Sequence, residues 1–114
     1  MIRTEYRYET QKRDRLLVVR LFGEIDHHSA AGLRAELDEL LLKERPARLV
    51  LELSHVEFMD SAGLGLLMGR YRLMRELGGV MAIENPNRRI MKILTLAGME
   101  RFFEISGGLR GEGR

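Results

Sequence analysis

The sequence predicts one α/β domain in which a mixed β-sheet carries its helices mainly on one face. Short apolar runs at 16–22, 49–53 and 80–83 alternate with segments whose apolar residues recur every three or four positions, the signatures of strands and amphipathic helices. The first two strand-like segments have no helix between them. Each later strand is separated from the next by a helix, a connection that makes parallel neighbours. A chain of 114 residues, 45% of them apolar, is enough for one core, and no second domain is expected. The domain is expected over 1–105, with 106–114 as a glycine-rich, mobile tail.

Residues 4–10 alternate polar and aromatic side chains, 11–15 turn, and 16–22 return, which reads as a β-hairpin. Gly23-Glu24-Ile25-Asp26 leads into a helix with Ala30, Leu33, Leu37, Leu40 and Leu41 on its apolar face. Asp26 or Ser29 begins it and Pro46 ends it. The central strand, 49–53, ends near Leu53, where Ser54-His55-Val56-Glu57 breaks its pattern. A second helix presents Leu64, Leu67, Met68, Tyr71, Met74 and Leu77 and closes at Gly78-Gly79. After the strand at 80–83, Asn85-Pro86-Asn87 opens a third helix with Ile90, Ile93, Leu94 and Ala97 inward, stopped by Gly98. The apolar segment 99–105 is a strand or a short helix, with Phe102 and Phe103 assigned to the core.

The junction Phe58-Met59-Asp60-Ser61-Ala62-Gly63-Leu64-Gly65 places a hydroxyl at the mouth of the second helix. Asp60 and Ser61 are both helix-capping residues, and either can be the N-cap. Gly63 and Gly65 each cost a helix roughly 1 kcal/mol relative to alanine, so two in the first turn call for close approach by another surface. Functional loops in such sheets gather at the carboxyl ends of parallel strands, where the Asp26 and Ser61 turns both belong.

Composition removes several chemistries. The chain has no cysteine, which excludes disulfides, thiol catalysis and cysteine-based metal sites. A net charge of +2, with basic residues interspersed among acids, gives no footprint for nucleic acid. No apolar run is long enough to cross a bilayer and the first residues hold no signal core, so a cytoplasmic protein without membrane contact is expected. His27-His28 has no further ligand at metal spacing. Gly63-Leu64-Gly65 resembles the start of a dinucleotide loop, but Met68 stands where the third glycine belongs. Ser61 lacks the glycine-flanked elbow of a serine hydrolase. Neither enzymatic activity nor a cofactor is expected. The methionines at 68, 74, 81 and 91 suit the interior, whereas Met59 sits at the loop.

The motifs resemble those of the anti-anti-sigma factors of the STAS domain family over nearly the whole chain. Gly23-Glu24-Ile25-Asp26-His27-His28-Ser29-Ala30 is similar to the family's Gly-Glu-Leu-Asp signature, with the His-His continuation most like the sporulation antagonist. Met59-Asp60-Ser61-Ala62-Gly63-Leu64-Gly65 resembles its phosphorylation loop, and Asn85-Pro86 is similar too. The resemblance implies a partner-switching protein. Unphosphorylated, it binds an anti-sigma factor that is also a serine kinase and so frees a sigma factor; phosphorylation ends the binding, and a PP2C-type serine phosphatase restores it. Ser61, directly after the motif aspartate, is then the phosphoacceptor. Ala62 replaces the second serine of some members, leaving one acceptor in the loop. Asp26, Ser29, Met59, Asp60, Ala62, Gly63 and Leu64 are the expected partner-binding residues, Asp26 equally a helix cap. A general-stress antagonist, another STAS signalling module, or a phosphorelay receiver with an aspartyl acceptor are the alternatives.

Overall fold

The computed structural model describes residues 6–107. Five strands lie in the order β1-β2-β3-β4-β5, which is also their order in sequence. β1 (Tyr6–Arg13) and β2 (Leu16–Ile25) form the antiparallel hairpin, and β3 (Arg48–Met59), β4 (Val80–Glu84) and β5 (Glu104–Ser106) add to it in parallel. The crossovers are α1 (Ala30–Glu44), α2 (Ser61–Glu76) and α3 (Arg88–Leu96), the last followed by a short 3-10 turn at Met99–Arg101. Since successive parallel strands step in one direction across the sheet, right-handed crossovers put every helix on the same face.

That face carries the core. Leu17, Val19 and Leu21 of β2, Leu49, Leu51 and Leu53 of β3, and Met81 and Ile83 of β4 pack against Leu33, Leu37 and Leu41 of α1, Leu66, Leu67 and Met74 of α2, and Ile90 and Leu94 of α3. From the edge, the Tyr8 hydroxyl donates to Glu36 of α1 at 3.0 Å, and Lys12 pairs with Glu44 at 2.6 Å. On the opposite face, Glu52 is buried among polar partners: Asn85 Nδ2 donates to it at 2.8 Å, the Ser54 hydroxyl at 2.9 Å, and Arg20 Nε lies at 3.5 Å.

Several boundaries differ from the expected ones, and β2 runs to Ile25 instead of ending at Phe22. The hairpin turn is only Asp14-Arg15, because Arg13 still pairs with Leu16 and Asp14 takes a left-handed φ of 54°, which a short polar side chain tolerates. β3 does not stop at Leu53 but runs to Met59. Its register against β2 slips twice, between Arg20 and Phe22 and between Gly23 and Glu24. At each slip β3 carries one residue more than β2, so Val56 and Met59 turn inward although they break the alternation of two. The segment 99–105 is both elements in turn, a 3-10 turn and then β5, with Phe103 buried and Phe102 exposed. β5 extends through Ser106, one residue beyond the expected domain end; most of the expected tail, and Thr4 and Glu5 of the expected hairpin, lie outside the described residues.

Leu67, fully buried at the centre of α2, measures this packing. Leu67→Ala is expected to lower unfolding free energy by about 2–5 kcal/mol in urea titration.

Candidate functional site

The carboxyl ends of β2 and β3 are neighbours, and the loops that leave them make one site. The β2 loop is closed on itself. Asp26 Oδ1 accepts from the backbone N–H groups of His28 at 2.9 Å and Ser29 at 3.2 Å. Ser29 Oγ accepts from Asp26 N at 3.1 Å and donates to the Glu24 carbonyl at 2.9 Å. Ser29 stands at the N-cap position of α1, yet its side chain makes no capping bond; the Asp26 carbonyl receives the Ala30 N–H at 2.8 Å. Both side chains are buried, Asp26 8% and Ser29 3% exposed, so they shape the loop from within.

Asp60 fastens the second loop to the first. As the N-cap of α2, its Oδ1 accepts from Ala62 N at 2.8 Å and Gly63 N at 3.2 Å. Its Oδ2 accepts from His27 N at 3.1 Å and lies 3.3 Å from His27 Nδ1, while its own N–H donates to the Ile25 carbonyl at 3.4 Å. Partial burial pushes the Asp60 carboxyl up, but the bonds from Gly63, His27 and Ala62 outweigh that and hold it below the usual carboxylate range. The choice between Asp60 and Ser61 as cap is thereby settled. Ser61 is the first helical residue and is exposed.

Gly63 explains one of the two early glycines of α2. A Cβ there would sit 2.4 Å from the Ile25 carbonyl oxygen and 2.4 Å from Met59 Cγ, so the residue is what lets the two loops close on each other. Gly63 is thus packed inside, and Met59, expected at the partner surface, is 2% exposed and part of the core. Gly65 is the reverse: a Cβ there meets nothing within 4 Å. Among the residues expected to touch a partner, Asp60, Ala62 and Leu64 are the half-buried ones that reach the surface beside Ser61, while Asp26, Ser29, Met59 and Gly63 lie beneath it.

Besides Gly63, sequence periodicity missed two members of the buried side of α2, Leu66 and Arg70. Arg70 is 4% exposed and falls on the stripe with Gly63, Leu67 and Met74; an arginine in a stripe position was the available signal. Its Nε lies 2.8 Å from Asp38 Oδ1 of α1. Burial draws its guanidinium below its ordinary range, Asp38 opposes that and Arg34 adds to it, yet an arginine remains protonated at neutral pH.

The extent of β3 also changes which residue follows the central strand. It is Asp60, not Ser54 and His55, so an aspartate does stand where a phosphorelay receiver carries its acceptor. Both oxygens of that carboxylate are already engaged by the two loops, which fits a structural tie.

Two consequences are measurable. Gly63→Ala is expected to cost about 1–3 kcal/mol in chemical denaturation, because a backbone carbonyl has to move. Asp60 has a folded pKa below its unfolded value of about 3.9, so its contribution to stability is complete above that pH and is lost as pH falls through the folded value. Asp60→Asn is therefore expected to flatten the decline in stability below about pH 4, where the wild-type carboxylate takes up its proton. An unchanged acid titration of stability in that variant would contradict the role given to the carboxylate.

Residues 7–110 match the STAS domain family. The chain is 38% identical over 90 residues to the anti-sigma F factor antagonist of Paenibacillus polymyxa, covering 79% of this chain and 77% of that protein. It is 34% identical over 93 residues to the anti-sigma-B factor antagonist of Bacillus subtilis (strain 168), covering 82% and 84%. Its fold superposes on the anti-sigma factor antagonist SpoIIAA in its unphosphorylated form with a TM-score of 0.75 at 26% identity, covering 95% and 98% of the two chains. The phosphorylated form of the Bacillus protein SpoIIAA gives 0.68 at the same identity and coverage. With a family match over most of its length and relatives above 30% identity covering more than two thirds of both chains, this chain belongs to the STAS domain family, among the anti-sigma factor antagonists.

Proposed function

We propose that this protein is a partner-switching antagonist whose unphosphorylated form binds an anti-sigma factor serine kinase in the cytoplasm and releases a sporulation sigma factor. Phosphorylation of Ser61 ends the binding, and a PP2C-type phosphatase restores it. The single observation that carries the reading is Ser61 itself, an exposed hydroxyl at the first position of α2, beside two loops joined by Asp60 and packed together at Gly63. Similarity to an anti-sigma F factor antagonist at 38% identity supports the sporulation pathway. The similarity to a sigma-B antagonist at 34% supports the second reading, a general-stress switch using the same chemistry.

The physical basis is charge placed on an ordered surface. A phosphoserine carries roughly −1.5 to −2 charges near neutral pH. The N-terminus of a helix favours negative charge, so α2 tolerates the group and the fold persists. Two of the first N–H groups of α2 are already taken by Asp60, which leaves the phosphoryl group facing outward beside a carboxylate. The Asp26 carboxylate is turned into its own loop, where it accepts from the backbone of His28 and Ser29. The dianion then opposes a partner across the surface formed by Asp60, Ala62 and Leu64, where an unpaired charge at an interface costs several kcal/mol. About 2.7 kcal/mol already gives a hundredfold switch.

The test is to incubate the protein with the candidate anti-sigma kinase and ATP, locate the phosphate by mass spectrometry and measure affinity before and after. Ser61→Ala is expected to bind as the unmodified protein does and to resist inactivation. Ser61→Asp is expected to bind about a hundredfold more weakly, near 2.7 kcal/mol. Undiminished binding by Ser61→Asp would contradict the charge mechanism, and phosphate labile to hydroxylamine would move the acceptor from serine to an aspartate.

A further inference from the structure

The two loops of the site hold no lysine or arginine. Residues 21–33 and 49–69, which include both loops, contain neither, whereas all three histidines of the chain, His27, His28 and His55, fall within them. A phosphoryl group on Ser61 therefore meets imidazoles as the only titratable bases of its own loops. His55 is set apart: it pairs with Phe22 across β2 and β3, its ring 4.9 Å from the Phe22 ring. His27 is tied to the neighbour of the acceptor. Its Nδ1 lies 3.3 Å from Asp60 Oδ2, the same oxygen that accepts from its backbone N–H.

Two further observations place His27 beside position 61. Asp60 and Ser61 are consecutive, with Cα atoms about 3.8 Å apart, and His27 shares the hollow between α1 and α2 with Ala62. His27 thus borders residues on both sides of the acceptor. Its side chain is 71% exposed and lies against His28, with 4.0 Å between ring centroids, outside the core. The backbone N–H by itself joins the loops, so packing does not require an imidazole here. The arginines along the hollow are engaged or distant. Arg70 is buried against Asp38, and Arg34 Nε lies 3.8 Å from the same carboxylate. Arg72, with Glu76, stands three turns down α2 from Ser61, about 16 Å at the helical rise. The Asp26 carboxylate is turned into its own loop.

We propose that His27 is the counter-charge of the phosphorylated site: its protonated imidazole, held by Asp60 through Nδ1, donates through Nε2 to the phosphoryl group on Ser61. This rests on the proposed phosphorylation of Ser61 and adds a regulator to it. Before modification the ring faces one carboxylate already engaged by the backbone N–H groups of His27, Ala62 and Gly63. Afterwards a second, stronger anion favours uptake of a proton from solvent. An imidazole makes this change near neutral pH, which the side chains of lysine and arginine do not. The pair offsets the repulsion between the phosphoryl group and Asp60, and it fixes the group over the surface of Asp60, Ala62 and Leu64. The hold lapses as pH rises past the range in which the imidazole carries its charge.

The test uses protein with phosphoserine incorporated at position 61 during translation, so no kinase is needed, and follows the phosphoryl group by phosphorus NMR as pH is varied. The second phosphoryl proton of the wild type is expected to leave at a pH about half a unit or more below that of His27→Gln. His27→Gln keeps the backbone N–H that Asp60 accepts, so the fold persists. His27→Lys is expected to restore the low midpoint, and added salt to narrow the gap between the wild type and His27→Gln. A histidine that only braced the loop would change thermal stability and leave the phosphoryl titration where it is. Equal midpoints in the wild type and His27→Gln would overturn the proposal, as would a change produced equally by His28→Gln. Either of those results removes only this inference and leaves Ser61 as the acceptor; a kinase that never modifies Ser61 removes the proposed function and this inference together.

Discussion

The site depends on one carboxylate. Asp60 caps α2 with one oxygen and holds the backbone of His27 with the other, so the end of β3 and the end of β2 are joined through a single side chain. Gly63 makes that join possible by letting the α2 backbone come against the Ile25 carbonyl, where any Cβ would collide. Asp26 and Ser29 complete the arrangement by closing the β2 loop on itself. The result is an exposed serine on a surface whose two loops are tied together by hydrogen bonds and close packing. A switch that works by charge needs such a surface, because a flexible loop would swing the phosphoryl group away from the interface instead of obstructing it.

The same geometry is the basis for the proposal that modification and folding are separable. Ser61 projects from the first turn of α2 and takes no part in the core, whereas its neighbours Met59 and Gly63 are buried. Chemistry at position 61 therefore acts at the surface while the residues on either side keep their packing. This division between an accessible serine and buried supports runs through the whole site. Fewer of the motif's residues reach the surface than the motif alone suggests.

Much of this architecture was legible in the sequence. The helices declared themselves by spacings of three and four, and the shared face expected of them is accounted for by strands that step across the sheet in sequence order. The expectation that Ser61 is the acceptor, by contrast, rests on the resemblance, since the local residues alone are those of a capped helix. The extent of β3 was hidden because two bulges shift Val56 and Met59 out of the alternation that marks a strand. The capping role of Asp60 over Ser61 could not be read, as both residue types cap helices well. Gly63 and Gly65 looked alike in the sequence and serve opposite ends, one closing an internal contact and the other leaving open space. Arg70 was passed over because an arginine at a core-facing position breaks the apolar pattern by which that face is recognised.

The central claim is that charge at Ser61 ends partner binding while the fold stays as it is. The most direct measurement compares the phosphorylated and unmodified protein in the same two assays, backbone NMR spectra and affinity for the anti-sigma kinase. The account predicts shifts confined to the two loops and the first turn of α2, together with an affinity loss of about a hundredfold. Equal affinity, or a loss of affinity accompanied by shifts throughout the sheet and core, would contradict it.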